Sequence, residues 1–171
     1  MSYFNNFSTM LYDPVGDGSA KLCTNIMKRV RVRANMKKEI VMLDKYDIKE
    51  NETPEIVAER HHGSVYYHWV VMLLNNISDV NHDWVKSTRQ LQKYLLSKYT
   101  EVQLTETHHY EISQTSGDTT IKIEVENTTY PSATIVTNYE YEVALNEEKR
   151  SIDLLRNEYL GFFTEEFSDL V

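Results

Sequence analysis

The chain has 171 residues, of which 41% are hydrophobic and 26% charged, a balance typical of one globular domain with extensions rather than of a disordered chain. The formal net charge of −8 argues against a general nucleic-acid binder, because neutralising phosphates requires an excess of Lys and Arg. The single cysteine, Cys23, excludes an internal disulfide framework, and no apolar run approaches the ~20 residues that span a bilayer.

Residues 1–38 are predicted to form an arm followed by a basic strand. The first 20 residues carry aromatics without a period and then turn signals at Asp13-Pro14 and Gly16-Asp17-Gly18, so the aromatics must be buried on the body or on a neighbour. From Ile26 the string IMKRVRVRA alternates with the period of a half-buried strand. Its polar face consists of Arg29, Arg31 and Arg33.

These three arginines are candidate interface residues. A basic strand, in a chain whose region after residue 139 is crowded with Glu and Asp, suits docking between protein surfaces. A solvated basic strand is the alternative interpretation.

Residues 39–99 are predicted to contain a strand followed by helices. After the extended run EIVMLDKYDI, the string Thr53-Pro54-Glu55 favours a helix start, since Thr suits the N-cap, Pro the first helical position and an acid the first turn. Gly63 is a natural stop. A second helix is predicted from near Ser64 to Asn75-Asn76, and a third after Ser87. Apolar residues at core spacing in the second are Val65, Trp69, Met72 and Leu73.

The stretch ERHHGSVYYHW contains three histidines and raises the question of a metal or catalytic site. His61 and His62 are adjacent, so on a helix they point roughly 100° apart. His108-His109 is a similar pair in a predicted loop or strand. The chain contains neither HExxH nor a Cys/His cluster with zinc spacing, and it lacks a GxSxG elbow and a glycine-rich phosphate loop.

We therefore expect no metal site, no catalytic residue, no cofactor and no enzyme activity. The histidines of the stretch, His68 included, are expected to flank a core formed around Trp69.

The last third of the chain is predicted to change from strand to helix. Residues 100–137 form a β-rich insertion, in which IKIEVE alternates strictly after the hairpin-type turn TSGD. Residues 138–171 are predicted to be helical to the end. Two apolar stripes are expected there, one of Ile152, Leu155, Tyr159 and Phe162, the other of Leu160, Phe163, Phe167 and Leu170.

Together these stripes are wider than the apolar surface that one small domain's helix normally buries. Phe162, Phe163 and Phe167 are therefore candidate interface residues, because exposed aromatic patches usually mark interfaces. The alternative is that both stripes fold back on the protein's own sheet.

Several segments in chain order carry a family resemblance. They are FSTMLYDP, NIMKRVRVR, YDIKENETPEIVAERHHGS, YYHWVVMLLNNISDVNHDW and YEVALNEEKRSIDLL. The set resembles the baseplate wedge subunit of contractile-tailed, T-even-like bacteriophages, over most of the chain. The centre resembles a LysM-type βαα unit, with Ile-x-Ala before Gly63 in the first helix and an Asn pair closing the second.

The resemblance implies an α+β fold with a LysM-like strand–helix–helix centre and a structural function. The expected role is to link wedge proteins and neighbouring wedges around the hub, in the virion tail baseplate and, during assembly, in the host cytoplasm. Other wedge and hub-proximal tail proteins are the expected partners, with no nucleic acid, membrane or small-molecule ligand.

A peptidoglycan-binding LysM module is the alternative function. Two departures from glycan-binding modules argue against it. Glu50-Asn51-Glu52-Thr53 replaces their Gly-Asp before Thr, and SDVNHDWVKS stands where a second strand would follow.

Overall fold

The computed structural model describes residues 3–28, 30, 32 and 40–171. The chain divides into two compact units, which we name unit 1 (residues up to Trp84 together with Ser151–Val171) and unit 2 (Val85–Arg150). The architecture is a mixture of helices and small antiparallel sheets, so the predicted α+β class is confirmed. The proposed division into segments 1–38, 39–99, 100–137 and 138–171 stays a prediction.

The elements alternate along the described part of the chain. The strands are β1 (Thr9–Tyr12), β2 (Lys21–Thr24), β3 (Leu43–Asp47), β4 (Thr107–Ser113), β5 (Lys122–Val125), β6 (Thr134–Thr137) and β7 (Ser151–Leu155). The helices are α1 (Pro54–His62), α2 (His68–Leu74), α3 (Val80–Asp83), α4 (Thr88–Lys98), α5 (Glu101–Thr105), α6 (Asn138–Glu148) and α7 (Asn157–Leu170). The predicted basic strand has its three arginines outside the described residues.

Helix α1 begins and ends where its sequence signals predict. Thr53 is extended, Pro54 occupies the first helical position, and Gly63 closes the helix with a left-handed φ of 73°. The N–H of Gly63 donates to the carbonyl of Glu59 at 2.9 Å. A short 3₁₀ turn, Val65–Tyr67, then leads into α2.

The core of unit 1 forms between α2, α7 and a two-stranded sheet. Strand β7 pairs antiparallel with β3, and Leu154 and Leu155 are fully buried. Trp69 on α2 is 5% exposed and lies 4.5 Å, ring to ring, from Phe167 on α7. The predicted placement of Trp69 in the core is confirmed.

The prediction of continuous helix from residue 138 is wrong, because β7 separates α6 from α7. Ile152 and Leu155 lie on this strand, opposite Tyr46 and Leu43, so they cannot share a helical stripe with Phe162. A short apolar run does not reveal from its periodicity whether it is helix or strand. Pairing with β3, which lies far earlier in the chain, decides the outcome.

Unit 2 contains a three-stranded antiparallel sheet in the order β5-β4-β6, with α4, α5 and α6. Ser87, Thr100 and Thr137 each begin a helix with a capping box. The turn between β4 and β5 contains Gly117 at φ 78°, which confirms the predicted hairpin.

One buried carboxylate connects helices α4 and α6 of unit 2. Glu142 of α6 accepts hydrogen bonds from the ammonium of Lys98 and, at 3.1 Å, from the hydroxyl of Tyr99. This carboxylate raises the pKa of Lys98 above its ordinary value. The pair fixes the end of α4 against α6.

Candidate interface surfaces and histidine clusters

The three histidines of the stretch ERHHGSVYYHW each donate to a different acceptor. A ring N–H of His61 donates to the carbonyl of Leu155 at 3.0 Å, and that of His62 donates to the side-chain oxygen of Asn157 at 2.9 Å. His68 donates to the carbonyl of Val65 at 2.9 Å. His61 and His62 therefore attach the end of α1 to β7 and to the start of α7.

The surroundings of His62 lower the pKa of its ring below the ordinary value. Burial lowers its pKa more than the hydrogen bond to Asn157 raises it. Its Nε2 is buried and has no hydrogen-bond partner among the described residues, so a proton there would be unsatisfied. In the described part of the chain, no three His, Cys, Asp or Glu side chains are grouped so as to hold a metal ion.

A second histidine pair, His108 and His109, lies on β4 in unit 2. The strand has a bulge between Thr107 and His109. Tyr141 of α6 stacks on His108, with the ring centroids 3.8 Å apart and the ring planes 12° from parallel. His109 meets the same tyrosine edge-on at 5.9 Å. The sequence indicates the pair but not Tyr141, because the contact depends on a bulge that no local motif predicts.

Of the predicted interface residues, the three phenylalanines of α7 lie in different environments. Phe163 and Phe167 are 6% and 2% exposed and pack in the core with Trp69. Phe162 points outward and is 64% exposed. Phe163 and Phe167 therefore pack on the protein itself, as the alternative interpretation predicts. The interface role of the three phenylalanines and of the three arginines stays a prediction.

The outward side of α7 combines this exposed aromatic with charges of one sign. Residues Glu158, Phe162, Glu165, Glu166 and Asp169 follow helical spacing and are all exposed. No Lys or Arg lies within Asn157–Leu170. We name this set the α7 outer face.

The aromatics of the N-terminal arm are divided between core and surface. Phe7 is buried, and Tyr3 packs against Trp69 with ring centroids 5.7 Å apart. Tyr12, on the β1–β2 ribbon, is exposed, as is the cross-strand pair Leu11 and Leu22. The ribbon therefore presents apolar side chains to its surroundings.

Large exposed apolar side chains beside charges of one sign are typical of proteins that dock on other proteins. A family model described as "Base plate wedge protein 53" matches residues 18–131, two-thirds of the chain. The chain belongs to this family of structural proteins of the phage tail baseplate. Its location is therefore the virion tail, and its partners are other baseplate proteins.

A comparison with curated proteins found no match. Within the described residues, no helix combines the length and hydropathy needed to cross a membrane. The LysM-like description of the centre stays a prediction.

Proposed function

We propose that the protein links wedge proteins within one baseplate wedge and helps to join neighbouring wedges around the hub, with assembly taking place in the host cytoplasm. Membership of the baseplate wedge family supports this role. The observation that carries it is the α7 outer face, where Phe162, 64% exposed, lies among acidic side chains of one sign on a helix whose inner side is held in the core.

The chemistry of the α7 outer face describes its partner. Phe162 requires an apolar pocket, and its neighbours Glu158, Glu165 and Glu166 favour a rim of Lys and Arg around that pocket. Helix α7 is also anchored firmly, because Phe163 and Phe167 hold its inner side in the core. The face is therefore presented on a rigid element.

The substitution Phe162→Ser tests this proposal in a wedge assembled from co-expressed proteins of the same phage. We expect the variant to keep its melting temperature and to bind its wedge partners at least tenfold more weakly, since the apolar anchor is lost. Tyr66→Ser, which also removes an exposed aromatic from unit 1, is the matched control and should bind normally. Normal assembly by Phe162→Ser would show that the face is not a docking surface.

Arg29, Arg31 and Arg33 are proposed as a second docking surface, for an acidic partner. The support is their sequence pattern and the family membership alone. Replacing all three with Gln should weaken the binding of a different wedge neighbour from the one that Phe162 contacts, measured by the same co-purification.

The peptidoglycan-binding alternative receives little support from the loop before α1. The carboxylate of Glu52 is buried and accepts hydrogen bonds from the Tyr46 hydroxyl, the Lys49 N–H and the Arg60 guanidinium. The Glu52 carboxylate is therefore already bonded to donors within unit 1 and is too buried for a glycan to contact it. Retention of the purified protein on insoluble peptidoglycan would favour the alternative, and recovery in the unbound fraction would exclude it.

A further inference from the structure

Helix α4 of unit 2 has one side packed on its own unit and one side exposed. Leu95 is buried and Lys98 bonds to Glu142 of α6, so these two residues of α4 mark its inner side. Residues at i, i+3, i+4 and i+7 share one side of a helix. On the side opposite Leu95, exposed residues follow this spacing, and we name them the α4 outer face: Arg89, Gln92, Lys93 and Leu96.

The α4 outer face combines positive charge with an exposed apolar side chain. Leu96 is 61% exposed. Between residues 85 and 100 the chain has four basic residues and no acidic residue. Two of the four, Arg89 and Lys93, lie on the outer face, whereas Lys98 is already bonded to Glu142. The α4 outer face is therefore the opposite in charge of the α7 outer face, which surrounds the exposed Phe162 with acids.

The spacing on the two faces matches in opposite chain directions. On α4 the two basic residues precede Leu96 by three and seven positions. On α7, Glu165 and Asp169 follow Phe162 by three and seven positions. At a rise of about 1.5 Å per residue, the charges of both helices lie about 4.5 and about 10.5 Å along the axis from the apolar side chain. Two antiparallel helices would then pair Leu96 with Phe162, Lys93 with Glu165, and Arg89 with Asp169.

We propose that the α7 outer face of one copy of the protein binds the α4 outer face of a second copy, as two antiparallel helices. This inference rests on the proposed function, because it names the partner of the α7 outer face. A second copy is the occupant that charge complementarity supports, since the chain itself carries the basic face with an apolar centre that α7 requires. The two faces differ, so the contact is heterologous and can be repeated from one copy to the next around the hub.

The size of this contact determines where it forms. A stable interface buries roughly 800 Å² per partner, and two or three turns of a helix provide roughly a few hundred Å². The contact is therefore too small to hold two copies together in dilute solution and forms between wedges that already carry the protein. The experiments accordingly use assembled wedges and the full chain.

The first test identifies what Phe162 touches. A photo-crosslinking phenylalanine analogue replaces Phe162, and wedges that carry it are mixed with isotopically labelled wedges before illumination. We expect mass spectrometry to find the analogue joined to a peptide from Thr88–Lys98 of the labelled copy. A peptide of another protein, a peptide of the same copy, or no cross-link would overturn the inference.

The second test reverses charges on the two faces. Arg89→Glu/Lys93→Glu and Glu165→Lys/Asp169→Lys should each reduce the yield of this cross-link at least tenfold, because like charges then face each other. All four substitutions in one chain should restore the yield to within about threefold of the unchanged protein. A combined variant that stays as low as the two double variants would overturn the pairing. The restoration separates lost contact from lost folding.

The control for charge reversal lies in unit 1. Lys21→Glu/Lys49→Glu makes the same change of net charge as the α4 variant, at two exposed positions outside both faces. We expect its cross-link yield to equal that of the unchanged protein. A tenfold loss in this control would show that net charge, and not the α4 outer face, governs the joining of wedges.

The two proposals can fail separately. A cross-link from Phe162 to a different wedge protein would remove this inference and leave the proposed function intact. Normal wedge assembly by Phe162→Ser, together with no cross-link at Phe162, would remove both.

Discussion

At the scale of single residues, Trp69 has an apolar role despite its polar indole N–H. Phe167, Phe163 and Tyr3 pack around its ring, and its Nε1 is buried without a hydrogen-bond partner among the described residues. Trp69→Ala should cost about 3–5 kcal/mol of unfolding free energy through lost burial and a cavity. Trp69→Phe should cost less than half as much, since no hydrogen bond is lost. Urea unfolding measures both.

Equal losses in the two variants would contradict this account, because they would show that the indole N–H makes a bond that phenylalanine cannot replace. Tyr66→Ala is the control in the same unit, at an exposed position of the 3₁₀ turn between α1 and α2. It should change the unfolding free energy by no more than about 0.5 kcal/mol.

His62 makes the stability of unit 1 depend on pH. Its folded-state pKa lies below the ordinary value of 6.5, so the unfolded chain takes up a proton more readily than the folded chain does. The contribution of the neutral ring is complete above pH 6.5 and is lost as pH falls through the lower folded-state pKa. Unfolding free energies measured from about pH 7.5 to about pH 5 should decrease, and less so in His62→Asn.

Tyr66→Asn, at an exposed position of the 3₁₀ turn in the same unit, is the control and should keep the pH dependence of the unchanged protein. An identical pH dependence in His62→Asn would show that other groups cause the destabilisation.

The sequence is sufficient to predict the burial of Trp69, but not the environments of the α7 phenylalanines or the partner of His62. The spacing of apolar residues around Trp69 was sufficient to place it in the core. Spacing does not separate Phe162, which is exposed, from Phe163, which is buried, because both fall in apolar stripes of a predicted continuous helix. The hydrogen bond between His62 and Asn157 joins residues 95 positions apart, and no local pattern indicates it.

At the scale of elements, the strand that pairs with β3 is β7, which lies about 100 residues later in the chain. Strand β3, helices α1 and α2, and then β7 follow one another in unit 1, with unit 2 inserted in the chain between α3 and β7. The sequence predicts no strand directly after Asn75-Asn76, and the strand that pairs with β3 begins only at Ser151. The side chain of Asn75 connects the two places, since its amide donates to the carbonyl of Asp153 at 2.8 Å and its oxygen accepts from the Asp153 N–H at 2.9 Å.

Deleting residues 151–171 should consequently unfold unit 1. The truncation removes the partner of β3 together with the aromatic side chains of α7 that pack on Trp69. Several such losses of about 3–5 kcal/mol each exceed the roughly 5–15 kcal/mol by which domains are stable. Hydrogen exchange should show loss of protection in β3, α1 and α2, whereas Phe162→Ser keeps it. A truncated chain with protected α1 and α2 amides would contradict the assignment of α7 to the core.

At the scale of the whole molecule, the charge is unevenly distributed along the chain. The formal net charge is −8, and ten of the 26 acidic residues fall between positions 101 and 148 beside one basic residue. Such a distribution attracts basic partners over distances longer than direct contact and orients their approach. The order of the charged residues in the sequence is sufficient to show this property, because it requires no knowledge of the fold.

Association of the α7 outer face with the basic partner proposed for it should therefore slow as salt is added. The Debye length shortens from about 10 Å at 0.1 M salt to about 3 Å at 1 M, which screens attraction during approach more than the contacts of the formed complex. Between about 50 and about 500 mM salt we expect the association rate constant, measured by stopped flow, to fall at least threefold while the dissociation rate constant changes little. Replacing Glu165 and Glu166 with Gln should reduce this dependence for the partner that binds the α7 outer face. An association rate independent of salt would show that apolar contact alone, at Phe162, selects this partner.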